Sequence, residues 1–236
     1  MGVIGGLGPI ATAYFYELVI QMTNAKYDQE HLEMLIFSKP SIPDRTEYIL
    51  GRSMDSPAPA MIEIGRALAE MGAQYIAIPC ITAHYFHDIL SREIPVPIIH
   101  IVRETVEYIK SRGISRTGIL ATEGTVYSRL FQEELLRNGI QAVIPDQESQ
   151  KKVTSLIYDN VKANQPVEIN KFRSVSGELR DKGAEVIILA CTELSLIKRD
   201  YDIGPDYLDA MEVLAMRAVT LCGAGLKEEY HSLIKK

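Results

Sequence analysis

The sequence predicts an α/β protein made of two similar lobes, each a mainly parallel sheet flanked by helices. A unit of helix, glycine, strand and cysteine occurs twice, as GAQYIAIPC ending at Cys80 and as GAEVIILAC ending at Cys191, 111 positions later. A second match aligns GVIGGLGPIATAYF, which begins at Gly2, with GILATEGTVYSRLF, which begins at Gly118, 116 positions later. Apolar, β-branched runs of this kind are typical of buried parallel strands. We therefore interpret the chain as two homologous halves.

Each element has a local sequence signal. Met1 to Gly6 reads as a short strand, and Pro9 suits the first position of the following helix. The glycines that open the two repeated strand segments suit helix C-terminal caps. The apolar residues from Tyr207 to Leu221 recur with a helical period and predict a last helix. We predict a first lobe of residues 1–97 plus 206–236, with the last helix returning to it, and a second lobe of residues 98–205.

The composition excludes several classes of protein. The chain has 236 residues, of which 47% are hydrophobic, and this is ample for a buried core. The sequence contains neither an apolar run of about 20 residues nor a secretory leader, so we expect a cytoplasmic protein with no membrane partner. A formal net charge of −6 argues against nucleic acid as a partner.

The three cysteines are Cys80, Cys191 and Cys222. They are few and widely spaced, so we expect free thiols and no metal site. Cys222, at the end of the last helix, is expected to be a packing residue. A cysteine at the end of a strand is more often structural than catalytic, but parallel sheets bind ligands at the carboxyl ends of their strands. The duplicated placement of Cys80 and Cys191 therefore favours two thiols that face one ligand.

Two loops carry cations at related places. Arg45 lies in PSIPDRTEYILG after the second strand, and its counterpart in the second half is Lys162 in DNVKANQP. The glycine-rich segment GGLGPIA could be a dinucleotide fingerprint, which needs an acidic residue at the end of the following strand. That strand ends in Ser38 and Lys39 instead, so we interpret the segment as a turn that admits a ligand or a helix.

Six motifs together resemble the aspartate/glutamate racemases that work without pyridoxal phosphate: GGLGPIAT, IPDRT, PCITAH, LATEGT, VKAN and ACTEL. The aspartate racemase branch is the more similar one, because GGLG and CTE stand where glutamate racemases typically carry DSGxGG and CTH. The resemblance implies two lobes related by a pseudo-two-fold axis, a site in the cleft between them, no cofactor, and a homodimer that acts on an acidic amino acid.

The resemblance also implies roles for individual residues. Cys80 and Cys191 would be alternating acid and base on opposite faces of the α-carbon, and Arg45 and Lys162 would hold substrate carboxylates. The other positions expected at the site are Gly8, Ile81, Thr82, Thr122, Thr125, Thr192 and Glu193. We expect both catalytic thiols to be reduced, to be separated by a gap that holds a substrate carbon, and to have pKa values lowered by helix N-termini. His84 is expected to pack the first helical turn after Cys80 rather than to tune it.

Ile81 departs from the family pattern, which has asparagine after the first cysteine. The loss of a hydrogen bond from the asparagine amide to a substrate carboxylate would cost roughly 1.5 to 3 kcal/mol. Two further functions therefore stay open. One is another enzyme of the superfamily, such as a maleate isomerase, a hydantoin racemase or an arylmalonate decarboxylase. The second is an amino-acid-binding protein with weakened catalysis.

Overall fold

The computed structural model describes residues 1–235 and contains two parallel sheets. The strands are β1 (Gly2–Gly5), β2 (Leu35–Ser38), β3 (Ile76–Ala77), β4 (Arg116–Ala121), β5 (Gln141–Val143), β6 (Val186–Ala190) and β7 (Tyr207–Asp209). The first sheet has the order β2-β1-β3 and the second the order β5-β4-β6-β7, and every neighbouring pair is parallel. The predicted fold class is confirmed.

Helices cover both sheets. The α-helices are α1 (Pro9–Met22), α2 (Arg45–Ile49), α3 (Ala58–Glu70), α4 (His87–Glu93), α5 (Ile101–Ser111), α6 (Glu123–Tyr127), α7 (Leu130–Arg137), α8 (Gln147–Ser155), α9 (Ile169–Asp181), α10 (Thr192–Asp200) and α11 (Ala210–Leu221). Three 3₁₀ helices comprise Asp28–Glu30, Ile81–Phe86 and Glu228–His231, and a π-helix, Leu156–Lys162, continues α8. None of the helices within residues 1–235 is long and apolar enough to cross a membrane.

The register of the sheets confirms the internal duplication. Gly2 of β1 pairs with Ile76, and Gly118 of β4 pairs with Ile187. Both glycines are needed because a helix and the neighbouring strand approach closely. A β-carbon on Gly2 would lie within 3.2 Å of three side chains, and one on Gly118 would lie within 3.3 Å of three. The first set is Leu68, Ala73 and Ile76, and the second is Leu179, Ala184 and Ile187, each 111 positions later.

The two repeated helices also end in the same way. Gly72 has φ +95° after α3, and Gly183 has φ +88° after α9. In both copies the glycine and the following alanine donate backbone hydrogen bonds to carbonyl groups of the last helical turn. This is the glycine C-terminal cap that the sequence predicts, since only glycine adopts positive φ without strain.

Some predicted elements differ from the structure. The strand predicted up to Cys80 pairs only at Ile76–Ala77, because Cys80 N–H donates to Ile78 O at 2.8 Å in a local turn that leaves the sheet. The predicted strand VPIIHI is reduced to one parallel bridge between Ile98 and Ile76. Tyr207–Asp209, predicted as helix, is strand β7 beside β6.

The two lobes share part of their core. The largest apolar cluster joins residues of both sheets with helices α1, α5 and α11, and includes Val3, Phe15, Ile119, Ile188 and Leu214. Helix α11 packs on both α1 and α5. The lobe division at 97/98 and 205/206 stays a prediction. Strand β7, which falls within the predicted first-lobe segment 206–236, pairs in the second sheet.

Two helical glycines give a test of the packing between α3 and α4. A β-carbon on Gly65 of α3 would lie 2.2 Å from Ile94 Cδ1 and 2.8 Å from its Cγ1, whereas one on Gly177 of α9 would meet nothing within 4 Å. We expect Gly177→Ala to stabilise the protein by about 0.5–1 kcal/mol through helix propensity. Gly65→Ala should destabilise it by about 1–3 kcal/mol, because Ile94 is buried and must move.

Urea unfolding of the two variants beside the unsubstituted protein measures both effects. A Gly65→Ala variant as stable as the Gly177→Ala variant would contradict the close packing of α3 on Ile94.

Candidate active site

The two repeated cysteines lie at corresponding places in the lobes. Cys191 follows β6 directly and is the N-cap residue of α10, while Cys80 is the N-cap residue of the 3₁₀ helix Ile81–Phe86. The two side chains are buried, at 5% and 6% exposure, and both are free thiols, as predicted. Cys222 is also free, but it is exposed at the end of α11, so the prediction that it packs in the interior is wrong.

Both thiols line a single cavity between the lobes. Its other lining residues are Leu7, Asp44, Arg45, Thr46, Ile81, Thr82, Thr122, Tyr158, Lys162, Thr192 and Glu193. Its free volume is about 10 Å³, room for about one water molecule. The expected gap wide enough for an amino acid is therefore absent from this conformation, because side chains from the two lobes meet across it.

Three threonines close the cavity. Thr82 of the first lobe lies 3.0 Å from both Thr122 and Thr125 of the second lobe, measured between Oγ1 atoms, and the latter two are 3.1 Å apart. All three side chains are buried. Thr122 also caps α6 by accepting the Thr125 N–H at 3.2 Å. Thr125 thus supports the cavity from behind Thr82 and Thr122 and does not line it.

Glu193 is bonded to one of the thiols. Cys191 Sγ donates to Glu193 Oε2 at 2.9 Å, and Thr192 Oγ1 donates to the same oxygen at 3.3 Å. Burial raises the pKa of the Cys191 thiol well above its ordinary value, and the carboxylate of Glu193 raises it further. The expected lowering by the N-terminus of α10 is wrong for Cys191, because burial and a neighbouring anion outweigh the helix dipole.

Arg45 begins helix α2 and is held by the loops around it. Its Nη1 donates to the carbonyl oxygens of Pro43 at 2.9 Å and Ile42 at 3.3 Å, and its Nη2 donates to Leu7 O at 3.3 Å. Nε is buried and has no hydrogen-bond partner among residues 1–235. Burial alone would lower the pKa of Arg45, but Cys80 and Asp44 outweigh it and raise that pKa. Arg45 is therefore a cation that lines the cavity and has not used all of its donors on the loops.

Lys162 is the last residue of the π-helix, a feature that is frequent at functional sites. Its Nζ lies 4.0 Å from Glu193 Oε1 and 4.4 Å from the centroid of the Tyr158 ring. Burial acts to lower the pKa of Lys162, but Glu193 and Tyr158 raise it on balance. Each lobe thus presents one cation to the cavity, as the sequence predicts.

A larger cavity adjoins the one between the thiols. It has a volume of about 380 Å³ and is lined by Gly8, Pro9 and Ile10 at the start of α1, by Val161 and Leu196, and by several residues common to both cavities. The shared residues are Leu7, Asp44, Arg45, Lys162 and Glu193. A β-carbon on Gly8 would lie 3.0 Å from Glu193 Oε1, so this glycine leaves room for the carboxylate.

Four lining residues were not predicted: Leu7, Asp44, Thr46 and Tyr158. Leu7 and Thr46 lie inside the quoted motifs GGLGPIAT and IPDRT. Tyr158 lies four positions before Lys162, a spacing that places two residues on one face of a helix and could have indicated it.

Residues 4–218 match the family described as Asp/Glu/Hydantoin racemase, which covers most of the chain. The chain belongs to this family. The broad specificity amino-acid racemase RacX of Bacillus subtilis is 29% identical to this racemase over 226 residues, which are 93% of this chain and 96% of RacX.

Solved structures agree in fold with this racemase. The aspartate racemase of Picrophilus torridus has a TM-score of 0.86 and 31% identity, with 98% of this chain and 97% of that chain covered. An aspartate racemase homologue from Pyrococcus horikoshii has a TM-score of 0.75 and 25% identity, with 94% and 97% covered. The recognition made from the six motifs is confirmed.

Ile81 of this racemase is a wall of the cavity. Its side chain is 1% exposed, lines the space between the thiols, and belongs to the core that the two lobes share. It brings no hydrogen-bonding group to the site, so any carboxylate bound there depends on the cations and the threonine hydroxyls.

Three histidines pack together on the far side of the Cys80 helix. The ring centroids of His84, His87 and His100 are 4.2 to 6.1 Å apart, and His84 Nε2 contacts Ile78 O at 3.3 Å. Burial and mutual repulsion lower the pKa of His84 well below its usual range and that of His100 to about 3. His84 packs within this cluster, as expected.

The cluster predicts a loss of stability in acid. The folded protein binds fewer protons than the unfolded chain between the unfolded histidine pKa, about 6.5, and the lowered folded values, so unfolding becomes easier as the pH falls through this range. His100→Asn removes one titrating group but keeps an acceptor for the Arg103 N–H, which now bonds to His100 Nδ1 at 3.4 Å.

Between pH 6.5 and pH 5 we expect the free energy of unfolding of this variant to fall less steeply than that of the unsubstituted protein. The two slopes should differ by up to about 1.4 kcal/mol per pH unit, as measured by urea unfolding at each pH. An unchanged slope of the free energy of unfolding against pH would show that His100 does not contribute.

Proposed function

We propose that this amino-acid racemase interconverts the enantiomers of an acidic amino acid, aspartate or glutamate, without a cofactor. Cys80 and Cys191 would act as alternating base and acid on opposite faces of the α-carbon. The observation that carries the proposal is that two buried free thiols, one from each duplicated lobe, line one cavity that also contains a cation from each lobe.

In the proposed reaction the two cysteines supply both the group that removes the α-proton and the group that returns one. The thiolate of one cysteine takes the α-proton, the electron pair of the C–H bond stays on the substrate as a carbanion, and the thiol of the other cysteine delivers a proton to the opposite face. A base and an acid on opposite faces are what inversion requires, because a single group tends to return the proton to the face it left. The two cysteines exchange protonation states in each turnover.

The cations would stabilise the negative charge that spreads onto the α-carboxylate. Arg45 uses three donor contacts on backbone carbonyls, which leaves Nε–H and one Nη2–H of the guanidinium for a carboxylate. Lys162 offers a point charge on the other side of the cavity. Two cations match the two carboxylates of a dicarboxylic amino acid.

Access would come from the larger cavity. An amino acid does not fit into about 10 Å³, but the adjoining space of about 380 Å³ lies in the range of small-molecule sites and shares Arg45, Lys162 and Glu193 with the space between the thiols. Entry of the α-carbon between the sulfurs therefore requires Thr82 to separate from Thr122 and Thr125.

One observation favours a second candidate, a racemase for uncharged amino acids. Ile81 replaces the amide of the family pattern, and Pro9, Ile10, Val161 and Leu196 make much of the larger cavity apolar. The similarity to RacX, whose name states a broad specificity, supports this candidate. A different enzyme of the superfamily and an amino-acid-binding protein with weakened catalysis are distinguished from both racemases by the cysteine assays below.

Two further features implied by the family resemblance are proposals. We propose a homodimer, supported by Ile36 and Phe37, which lie 40% and 46% exposed on strand β2 at the free edge of the first sheet. A cytoplasmic location stays a prediction.

Cysteine variants test the two-base mechanism. Cys80→Ser and Cys191→Ser should each lower racemisation of D- and L-aspartate and glutamate by at least about a thousandfold, because a serine hydroxyl is a far weaker acid than a thiol and does not ionise to form the base near neutral pH. Cys222→Ser, a substitution of the exposed third thiol, should keep full activity. The readouts are inversion by chiral chromatography and loss of the α-deuterium in buffered water.

Full activity in either catalytic variant would remove that thiol from the mechanism. Calorimetric binding of aspartate by the unsubstituted protein without α-deuterium loss would identify a binding protein, and reaction of maleate, a hydantoin or an arylmalonate alone would identify another superfamily enzyme.

Ile81→Asn tests the choice of substrate. The added amide can donate to a carboxylate, so we expect kcat/KM for aspartate to rise by up to about 10- to 100-fold relative to kcat/KM for an uncharged amino acid of similar size. Ile81→Val, which keeps the wall apolar, is the matched control and should leave the ratio near its original value. A fall in the aspartate ratio for the asparagine variant would show that the isoleucine is adapted to acidic substrates.

A further inference from the structure

The two thiols have opposite electrostatic surroundings. The nearest polar contact of Cys191 is an anion, the Glu193 carboxylate, at 2.9 Å from Sγ. Cys80 lines the same cavity as Arg45, and its sulfur helps to raise the pKa of the Arg45 guanidinium. A carboxylate beside a sulfur favours the protonated thiol, and a cation favours the thiolate.

The carboxylate of Glu193 is built into the site. Its side chain is buried, Oε2 receives the Cys191 S–H and the Thr192 O–H, and Oε1 faces Lys162 at 4.0 Å. Gly8 leaves space for Oε1, since a β-carbon there would approach it to 3.0 Å. Thr192 and Lys162 thus contact the carboxylate beside the sulfur, and Gly8 leaves room for it.

We propose that Glu193 keeps Cys191 protonated in the free enzyme, so that Cys191 is the acid and Cys80 the base of the resting state. The inference rests on the proposed two-thiol mechanism and adds that the two cysteines differ in protonation state before substrate binds. It makes Glu193 a catalytic residue in contact with a reacting sulfur, and it means that the resting enzyme is ready for the enantiomer whose α-hydrogen faces Cys80.

The reverse direction needs the proton to leave Cys191. A thiolate at Cys191 next to an ionised Glu193 would place two anions 2.9 Å apart. A forward turnover produces this state, because it places the α-proton on Cys80 and transfers the proton of Cys191 to the substrate, so the reverse direction begins with Cys80 as the thiol and Cys191 as the thiolate. Lys162 lies beside this pair and limits its negative charge.

The remaining titratable or charged groups on the cavity walls are Asp44, Arg45, Cys80, Tyr158 and Lys162. Lys162 acts to lower the pKa of the Cys191 thiol, but burial and Glu193 outweigh it. Tyr158 is neutral near pH 7 because burial raises its pKa to about 12. Glu193 is therefore the group whose removal should change the titration of Cys191 most.

Thiolate titration of proteins with a single site cysteine tests the proposal without substrate. In a Cys222→Ser background, Cys80→Ser leaves only Cys191, and Cys191→Ser leaves only Cys80. The ultraviolet absorbance of the thiolate is followed against pH. Glu193→Gln should raise the thiolate-to-thiol ratio of Cys191 at a fixed pH by about tenfold or more. The same substitution in the protein that retains Cys80 should change that ratio by less than about twofold.

Glu193→Asp keeps the charge and should leave Cys191 closer to the original titration than Glu193→Gln does, and circular dichroism verifies the fold of each variant. The proposal would be overturned if Glu193→Gln did not change the titration of Cys191, or if it changed the titrations of Cys191 and Cys80 equally. Because no racemisation is measured, loss of the proposed function in the assays above and failure of this inference are separate results.

Discussion

The buried threonine contact between the lobes is the interaction on which the site depends. Thr82 follows the first cysteine, and Thr122 and Thr125 lie at the start of α6 in the other lobe, so their hydrogen bonds join the carboxyl ends of the two sheets. Buried hydroxyl groups must find partners, and here Thr82 contacts both threonines of the opposite half, which also contact each other. Thr82 and Thr122 line the cavity that contains both thiols, and that cavity has room for about one water molecule.

The closed cavity and the larger one beside it correspond to two requirements of the proposed chemistry, exclusion of water and entry of the substrate. Proton abstraction next to a carboxylate benefits from a site that excludes water, because electrostatic stabilisation is stronger there. A substrate must nevertheless enter, and the larger cavity provides a volume that shares both cations with the space between the thiols. The same few side chains therefore line both cavities.

Duplication produced symmetry in the backbone and asymmetry in the chemistry. The glycine pairs, their three packing neighbours and the helix caps repeat with matching geometry in both lobes. The side chains around the sulfurs do not repeat, since an arginine lies on the wall with Cys80 and a glutamate bonds to Cys191. A symmetric frame brings the two thiols to one cavity, and their neighbours in that cavity differ in charge.

The sequence by itself determined the fold class, the duplication, the two cysteines and the paired cations. Strand periodicity, glycine caps and repeated motifs are local properties, so the caps at Gly72 and Gly183 and the equivalence of Gly2 and Gly118 were accessible without coordinates. The length of β3, strand β7, the exposure of Cys222, the lining by Tyr158 and the bond between Cys191 and Glu193 were decided only by tertiary structure. Each of these depends on which distant atoms come within a few ångströms of one another. The direction of the pKa shift at Cys191 belongs to the same group, because burial and a folded neighbour, not the adjacent helix terminus, determine the charge that the sulfur carries.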